Sequence, residues 1–339
     1  MQDYGLVSVI IPTYNEEKYI TRCIESLLQQ DYPNEQMELL VVDGISTDLT
    51  RTIVKQYTEK YSFIHLLDNP NKIVPYAMNI GIKRAQGTII IRIDAHAEYA
   101  SNYISTLARC IVSIPDAVNV GAPCRTQSLS DTPKAKAIVA VLSNKFGVGN
   151  SDFRTGINHI KQVDTVPFGC WKKKAFERYG LFNTLLVRNQ DIEMNKRITS
   201  EGGHIYLIPD TYSIYYARET YRALAVNNYN NGKWNILTIY YTNRLKSLSL
   251  RHFIPLVFLL SLLIPMVFGG ICPYLMLISA VSLLMYLCLL GYVSIHISHT
   301  RKIPFYYILW AFITLHLSYG FGSLVGLLSI PWAKSSKTK

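Results

Sequence analysis

Residues Thr88–Tyr99 read TIIIRIDAHAEY. Four β-branched side chains in a row have no helical spacing and suit a strand buried on both faces. The run stops at Asp94, and His96 follows two places later. Upstream, Pro75 and Gly87 bracket a helical stretch, proline in its first turn and glycine at its end. A helix feeding a buried strand is part of a βαβ unit, and the alternation recurs earlier. Val7–Ile11 (VSVII) is a strand ended by Pro12. Glu16–Gln30 is a helix with Tyr19, Ile20, Cys23, Ile24, Leu27 and Leu28 on one face. Leu39–Val42 is a second strand ending at Asp43; Thr47 or Asp48 caps a helix running through Tyr57; Phe63–Leu67 is a third strand. This order predicts an α/β fold, a Rossmann-like, mostly parallel sheet flanked by helices. Ligands of such sheets bind beyond the carboxyl ends of the strands. That rule gathers Pro12–Glu17, Asp43–Asp48 and Asp94–His96 at one edge.

Composition narrows the classes. The chain has 339 residues, 34 Lys+Arg against 23 Asp+Glu, and mean hydropathy +0.14. The basic excess suits anionic lipid or a phosphorylated substrate. No helix-turn-helix, zinc finger or RNA-recognition motif is present, so nucleic acid is not an expected partner. The six cysteines form no CxxC pair, which indicates neither a zinc site nor a disulfide framework. The four in the first two thirds read as reduced and cytoplasmic. The stretch MQDYGLVSVIIP has an acidic residue and no long apolar core, unlike a signal peptide. Neither a Gly-x-Gly-x-x-Gly loop nor a Walker Gly-Lys-Ser/Thr occurs.

Charge nearly vanishes from about Phe253. Phe253–Gly269, Tyr274–Ile295 and Phe305–Ile330 read as transmembrane. His299, Arg301 and Lys302 between the second and third segments, with the basic stretch Arg244–Arg251 before the first, place those ends in the cytoplasm. The basic tail KSSKTK falls outside if the third segment crosses fully, unless Gly320, Gly322 and Gly326 let it bend or re-enter. The expected organisation is a catalytic domain over residues 1–215, amphipathic interfacial helices over 216–252, about three membrane helices over 253–331, and a basic tail over 332–339.

Three stretches, VSVIIPTYNEE (Val7–Glu17), VVDGISTD (Val41–Asp48) and AMNIGIKRAQGTIIIRID (Ala77–Asp94), resemble the nucleotide-sugar half of the inverting family 2 glycosyltransferases, whose fold is called GT-A. The likeness runs from about Val7 to Arg197. The C-terminal apolar segments, and DAH in place of the usual Asp-x-Asp, look most like the membrane-bound ExoA-type enzymes of exopolysaccharide assembly. The resemblance implies transfer of a sugar from a nucleotide-sugar donor, a UDP-sugar first, to a lipid-linked glycan. It implies a multi-pass protein of the bacterial cytoplasmic membrane, with catalysis on the cytoplasmic face and partners in a polysaccharide assembly system. Transfer to polyprenyl phosphate itself, a processive synthase, and a non-catalytic membrane binding protein are the alternatives.

A sugar-diphosphate donor leaves as an anion, which a divalent cation, Mn2+ or Mg2+, stabilises. Asp94 is a fitting oxygen ligand. His96 stands at the family's direct metal position, and three roles are open to it: ligand, phosphate contact, or packing. The resemblance places Pro12, Thr13, Tyr14 and Glu16 around the nucleoside, with Tyr14 stacking on the base and Asp43 accepting from a base N–H. Asn79 and Arg84 lie on the helix before the metal strand, Arg84 as a phosphate contact or a surface charge. Asp191, in Asn189-Gln190-Asp191-Ile192-Glu193, matches the family's catalytic base, although Gln190 replaces a Glu; Glu193 is the fallback. Gly169, Cys170 and Trp171 match the stretch beneath the acceptor. Lys233 and Trp234 keep part of a processive-enzyme motif, and Lys233, Arg218 and Arg222 suit either a lipid-linked pyrophosphate or lipid headgroups.

Overall fold

The computed structural model describes residues 4–149, 151–242 and 249–333. The expected basic stretch at 244–248 and the tail at 334–339 lie outside the described residues. The chain divides into two compact units, residues 1–125 with 152–216, and residues 126–151 with 217–339.

The first unit opens with β1 (Val7–Thr13), α1 (Ile20–Leu28), β2 (Met37–Asp43), α2 (Thr50–Lys60), β3 (Ile64–Asp68), α3 (Val74–Arg84) and β4 (Ile89–Arg92). Next come β5 (Ala97–Tyr99), α4 (Tyr103–Ser113), β6 (Ala117–Gly121) and β7 (Cys124–Gln127), at whose end the unit gives way. After α5 (Pro133–Leu142) and α6 (Lys145–Val148) of the second unit, the chain returns with α7 (Asp152–Thr155), β8 (Lys161–Gln162), β9 (Cys170–Lys172), α8 (Ala175–Tyr179), α9 (Gln190–Ser200), β10 (His204–Leu207) and β11 (Ser213–Tyr216). The main sheet runs β3-β2-β1-β4-β9-β6-β10-β8, and a small one runs β5-β11-β7. The β3-β2-β1-β4 half is parallel, as the βαβ alternation requires. Strand β9 is inserted antiparallel between β4 and β6.

β1 continues through Pro12 to Thr13, paired with Val42 and Asp43. The Ile10 carbonyl accepts from Ile93 N on the β4 side, and Pro12 shares that parity. Pairing with β4 stops at Ile10–Arg92, so the missing proline N–H falls where no ladder partner exists. The core lies on both sheet faces. One layer packs Val9, Ile11, Ile24 and Leu107; the other packs Ile10, Met78, Trp171, Phe176 and Phe182.

The second unit holds α5, α6, α10 (Tyr221–Thr242), α11 (Ile254–Phe268), α12 (Leu275–Arg301) and α13 (Phe305–Ala333). Among the described residues three helices are long and apolar enough to cross a membrane: Leu250–Phe268, Leu275–Arg301 and Phe305–Ala333. Large apolar side chains such as Val267, Leu277, Leu284 and Met285 are exposed on α11 and α12, a surface suited to lipid rather than water. α12 carries His299 and Arg301 in its last turn, past the end predicted for the segment.

α10 is one 22-residue helix, where one or two interfacial helices are expected. It packs along α13. A Cβ on Gly232 would lie 2.0 Å from the Tyr319 carbonyl oxygen, and one on Gly322 would lie 1.9 Å from that of Tyr229. Backbone meets backbone with no side chain between, the close approach that glycine permits. Asn235 also donates to the Tyr319 hydroxyl, and Thr238 is fully buried on α10.

Candidate active site

The site is assembled from turns that follow β1, β2 and β4 and from the start of α9. The first two turns are laced together. Gly44 N donates to the Thr13 carbonyl at 2.7 Å, Asn15 N to Ser46 Oγ at 2.8 Å, and Glu16 N to Thr50 Oγ1 at 2.8 Å. Asn15 Oδ1 accepts from Thr47 N at 2.8 Å. Asn15 and Ile45 sit in the left-handed region (φ 54° and 59°), which turns both loops sharply. Asp48 accepts from Thr50 N at 3.0 Å and from Glu17 N at 3.1 Å, so it serves both as a helix-start acceptor and as a link between the loops.

Asp43 is fully buried. Its carboxylate accepts from Ser46 N at 2.9 Å, Ser46 Oγ at 2.5 Å and Arg51 Nη1 at 2.8 Å, and Arg51 also reaches Asp68 at 2.8 Å. The group expected to meet a base is thus already held by its own chain. Tyr14 is 40% exposed, and a Cβ on Gly44 would lie 2.9 Å from its ring. Lys72 Nζ stands 5.5 Å from the ring centroid. A partly exposed ring with a cation over it suits a planar group that carries negative charge.

After β4 the chain alternates in and out. Ala95 and Ala97 are buried while Asp94 and His96 keep partial exposure. The strand end is pinned from below: Asp94 N donates to the Tyr99 hydroxyl at 2.7 Å. His96 Nδ1 lies 3.0 Å from Asp94 Oδ1 and 3.4 Å from Glu16 Oε1. Its ring meets Tyr19 and Tyr215 edge-on, at 6.4 and 5.9 Å. Glu16, Asp94 and His96 are therefore neighbours across two turns. Two carboxylates and an imidazole form a donor set suited to Mn2+ or Mg2+. Among the described residues no group of three or more His, Cys, Asp or Glu side chains is arranged to hold a metal ion by itself.

Asp191 lies in the first turn of α9. It does not cap the helix: Asn189 is the N-cap residue, at φ 62°, and no side-chain cap bond forms. Instead Arg92 Nη1 donates to Asp191 Oδ1. Burial pushes the Asp191 carboxyl above the usual carboxylate range, the Arg92 guanidinium pulls it back, and the charge of Asp94 adds a further upward push. Arg92 is 5% exposed, and its Nε has no partner among the described residues; nor does Gln190 Oε1 beside Asp191. Both atoms are buried, so the polar cluster around the Asp191 carboxylate is incompletely paired. Glu193 is engaged elsewhere, with Arg197 at 3.1 and 2.8 Å, and Arg197 in turn donates to the carbonyls of Tyr179 and Leu181.

Other residues singled out from the sequence make contacts of their own. Asn79 exchanges two 2.9 Å bonds with the backbone of Phe182 and ties α3 to that loop. Arg84 is exposed at the last residue of α3, which runs back to the start of β4, so it sits at the opposite end of the sheet from Asp94. Cys170 and Trp171 are at 0% and 1% exposure in the core, so any acceptor contact there falls to the backbone. Gly169 has φ 104°, and a Cβ there would strike the Trp171 ring at 2.4 Å; its carbonyl accepts from Arg92 N at 3.0 Å. Lys233 and Trp234 belong to α10 in the second unit, where Trp234 stacks with Tyr241. The residues not anticipated are Arg92, Ser46, Arg51 and Lys72. Arg92 had a signal: it is the lone charge within the apolar run TIIIRI that precedes Asp94.

Known proteins resemble this chain in sequence and in fold. Residues 8–180 match the Glycosyl transferase family 2 family model. The chain is 34% identical over 223 residues to the dolichyl N-acetyl-alpha-D-glucosaminyl phosphate 3-beta-D-2,3-diacetamido-2,3-dideoxy-beta-D-glucuronosyltransferase of Methanococcus voltae, covering 64% of this chain and 68% of that protein. It is 29% identical over 216 residues to the succinoglycan biosynthesis protein ExoA of Rhizobium meliloti, covering 62% of this chain and 63% of that one. The mannosyltransferase PcManGT of Pyrobaculum calidifontis, solved with GDP-Man and Mn2+, shares the fold with TM-score 0.58 at 20% identity, over 97% of this chain and 87% of that one.

Proposed function

The chain belongs to glycosyltransferase family 2, and from that footing we propose that it moves a sugar from a UDP-sugar to a lipid-linked glycan at the cytoplasmic face of a membrane, in polysaccharide assembly. The observation that carries the chemistry is the Asp191 carboxylate, raised by burial and held by Arg92 beside Asp94 and His96. In this reading Asp191 takes the proton from the acceptor hydroxyl. The hydroxyl oxygen bonds to the anomeric carbon from the face opposite the leaving group, and the donor's C–O bond breaks with its electron pair going to the nucleoside diphosphate. Tyr14 stacks on the base beside Pro12 and Thr13, and Asp43 braces the neighbouring turn through Ser46 and Arg51. Asp94 and His96, with Glu16 beside them, would hold a divalent cation, which when bound offsets the charge developing on the diphosphate. Arg92 keeps Asp191 aimed into the site until the acceptor arrives.

The lipid-linked acceptor is supported by the Methanococcus voltae relative, whose name specifies a dolichyl sugar phosphate, and by the three apolar helices. Membranes containing the protein should release UDP from a UDP-sugar only with a divalent cation and a glycosylated polyprenyl pyrophosphate or phosphate. Equal turnover with bare polyprenyl phosphate would sink the acceptor assignment. Turnover with no UDP- or GDP-sugar would sink the donor assignment.

A further inference from the structure

A shallow cleft of about 360 Å3 opens within the second unit, lined by Thr126, Gln127, Ser128, Lys136 and Arg301 with the apolar Val139 and Ile303. Its walls come from the segment before α5, the first turn of α5, and the turn that joins α12 to α13. Lys302 caps α12 in the left-handed region (φ 56°), which reverses the chain and tucks Ile303 in at 5% exposure. Arg301 is left at the rim. The two segments 126–139 and 299–304 carry Lys134, Lys136, Arg301 and Lys302 against one carboxylate, Asp131. Asp131 pairs with Lys136 at 2.7 Å but is 92% exposed. Glu219, the other nearby carboxylate, accepts from Ser130 N at 2.6 Å. Among the described residues no carboxylate pairs with Arg301. A guanidinium, an ammonium, hydroxyls and an amide around one cleft make a donor-rich site for a phosphate.

The surroundings say where that phosphate comes from. The cleft sits at the end of two membrane-length helices. Tyr292 on α12, with Tyr306 and Trp310 on α13, is exposed within roughly three turns of the joint, the depth at which aromatic side chains meet headgroups. Leu289 and Met285, 46% and 67% exposed and farther from the joint than Tyr292, continue the apolar surface below. Acyl chains would lie on this surface while the headgroup reaches Arg301 and Lys136.

We propose that the cleft at the α12–α13 joint binds the phosphate of an anionic membrane glycerophospholipid, a site separate from the sugar-transfer centre. The inference rests on the membrane reading of α11–α13. The full chain in neutral detergent is titrated with dihexanoyl-phosphatidylglycerol, dihexanoyl-phosphatidylcholine and inorganic phosphate, and the same titrations are run on Arg301→Gln with Lys136→Gln. The wild type should prefer the glycerol lipid over the choline lipid, and the double variant should bind it roughly tenfold more weakly. Its UDP binding and thermal midpoint should be unchanged, which separates loss of the cleft from loss of fold. Equal binding of both lipids, or an unaltered affinity in the double variant, would overturn the site. Inorganic phosphate displacing the lipid at equal concentration would overturn its assignment to a lipid. Alkaline carbonate extraction of membranes tests the membrane reading by itself: release of the protein would mean that this premise had failed rather than the cleft.

Discussion

Asp191 and Arg92 set the terms of the chemistry at the scale of single residues. Asp191→Asn keeps the side chain's shape and removes the proton acceptor. Turnover should fall about a thousandfold while UDP affinity stays within a factor of a few, measured by UDP release and by calorimetry. Arg92 acts in the opposite sense on the pH profile. The base works ionised; burial raises its folded pKa and Arg92 lowers it. Arg92→Gln should therefore move the acid limb of kcat/KM to higher pH, and an unmoved limb would show that the two groups do not interact in the working enzyme. His96→Asp replaces the imidazole with a harder oxygen ligand and should shift the preferred cation from Mn2+ toward Mg2+ in activity assays. The strand-end carboxylates were legible because a charge ending a β-branched run has few structural uses. Arg92 was not, because its role depends on α9, which lies about a hundred residues away in sequence and comes alongside only when β9 is inserted next to β4.

The parallel half of the sheet was readable at the scale of elements, because its helices and strands follow one another at βαβ spacing. The antiparallel β9 was not, since three residues with a buried tryptophan leave no period to read. The α10–α13 pair was missed for a related reason. α10 is polar along much of its length, with five asparagines, yet it buries Asn228, Asn235 and Thr238 against a neighbour. Apolar periodicity does not report an interface built from glycine and polar side chains. Gly232→Val or Gly322→Val should each destabilise the second unit by roughly 1–3 kcal/mol or more, read as a lower thermal midpoint in detergent. Unchanged melting would mean that the helices can separate at no cost.

Considered as a whole molecule, the chain joins an α/β unit to a unit with three helices long enough to cross a membrane. Its cysteines offer a direct topology test. Cys23, Cys110, Cys124 and Cys170 are buried, Cys288 lies on the apolar surface of α12, and Cys272 sits in the turn between α11 and α12. A membrane-impermeant maleimide should label Cys272 from the periplasmic side of intact cells, and labelling only after the cytoplasm is opened would reverse the proposed orientation. The backbone contact between α10 and α13 bears on how the second unit can move. Sliding either helix by one residue would drive a side chain into the opposing peptide, so intermediate positions are closed. Whatever displacement that unit undergoes during a catalytic cycle, these two helices must make it together, as a single stiff beam and not as two sliding rods.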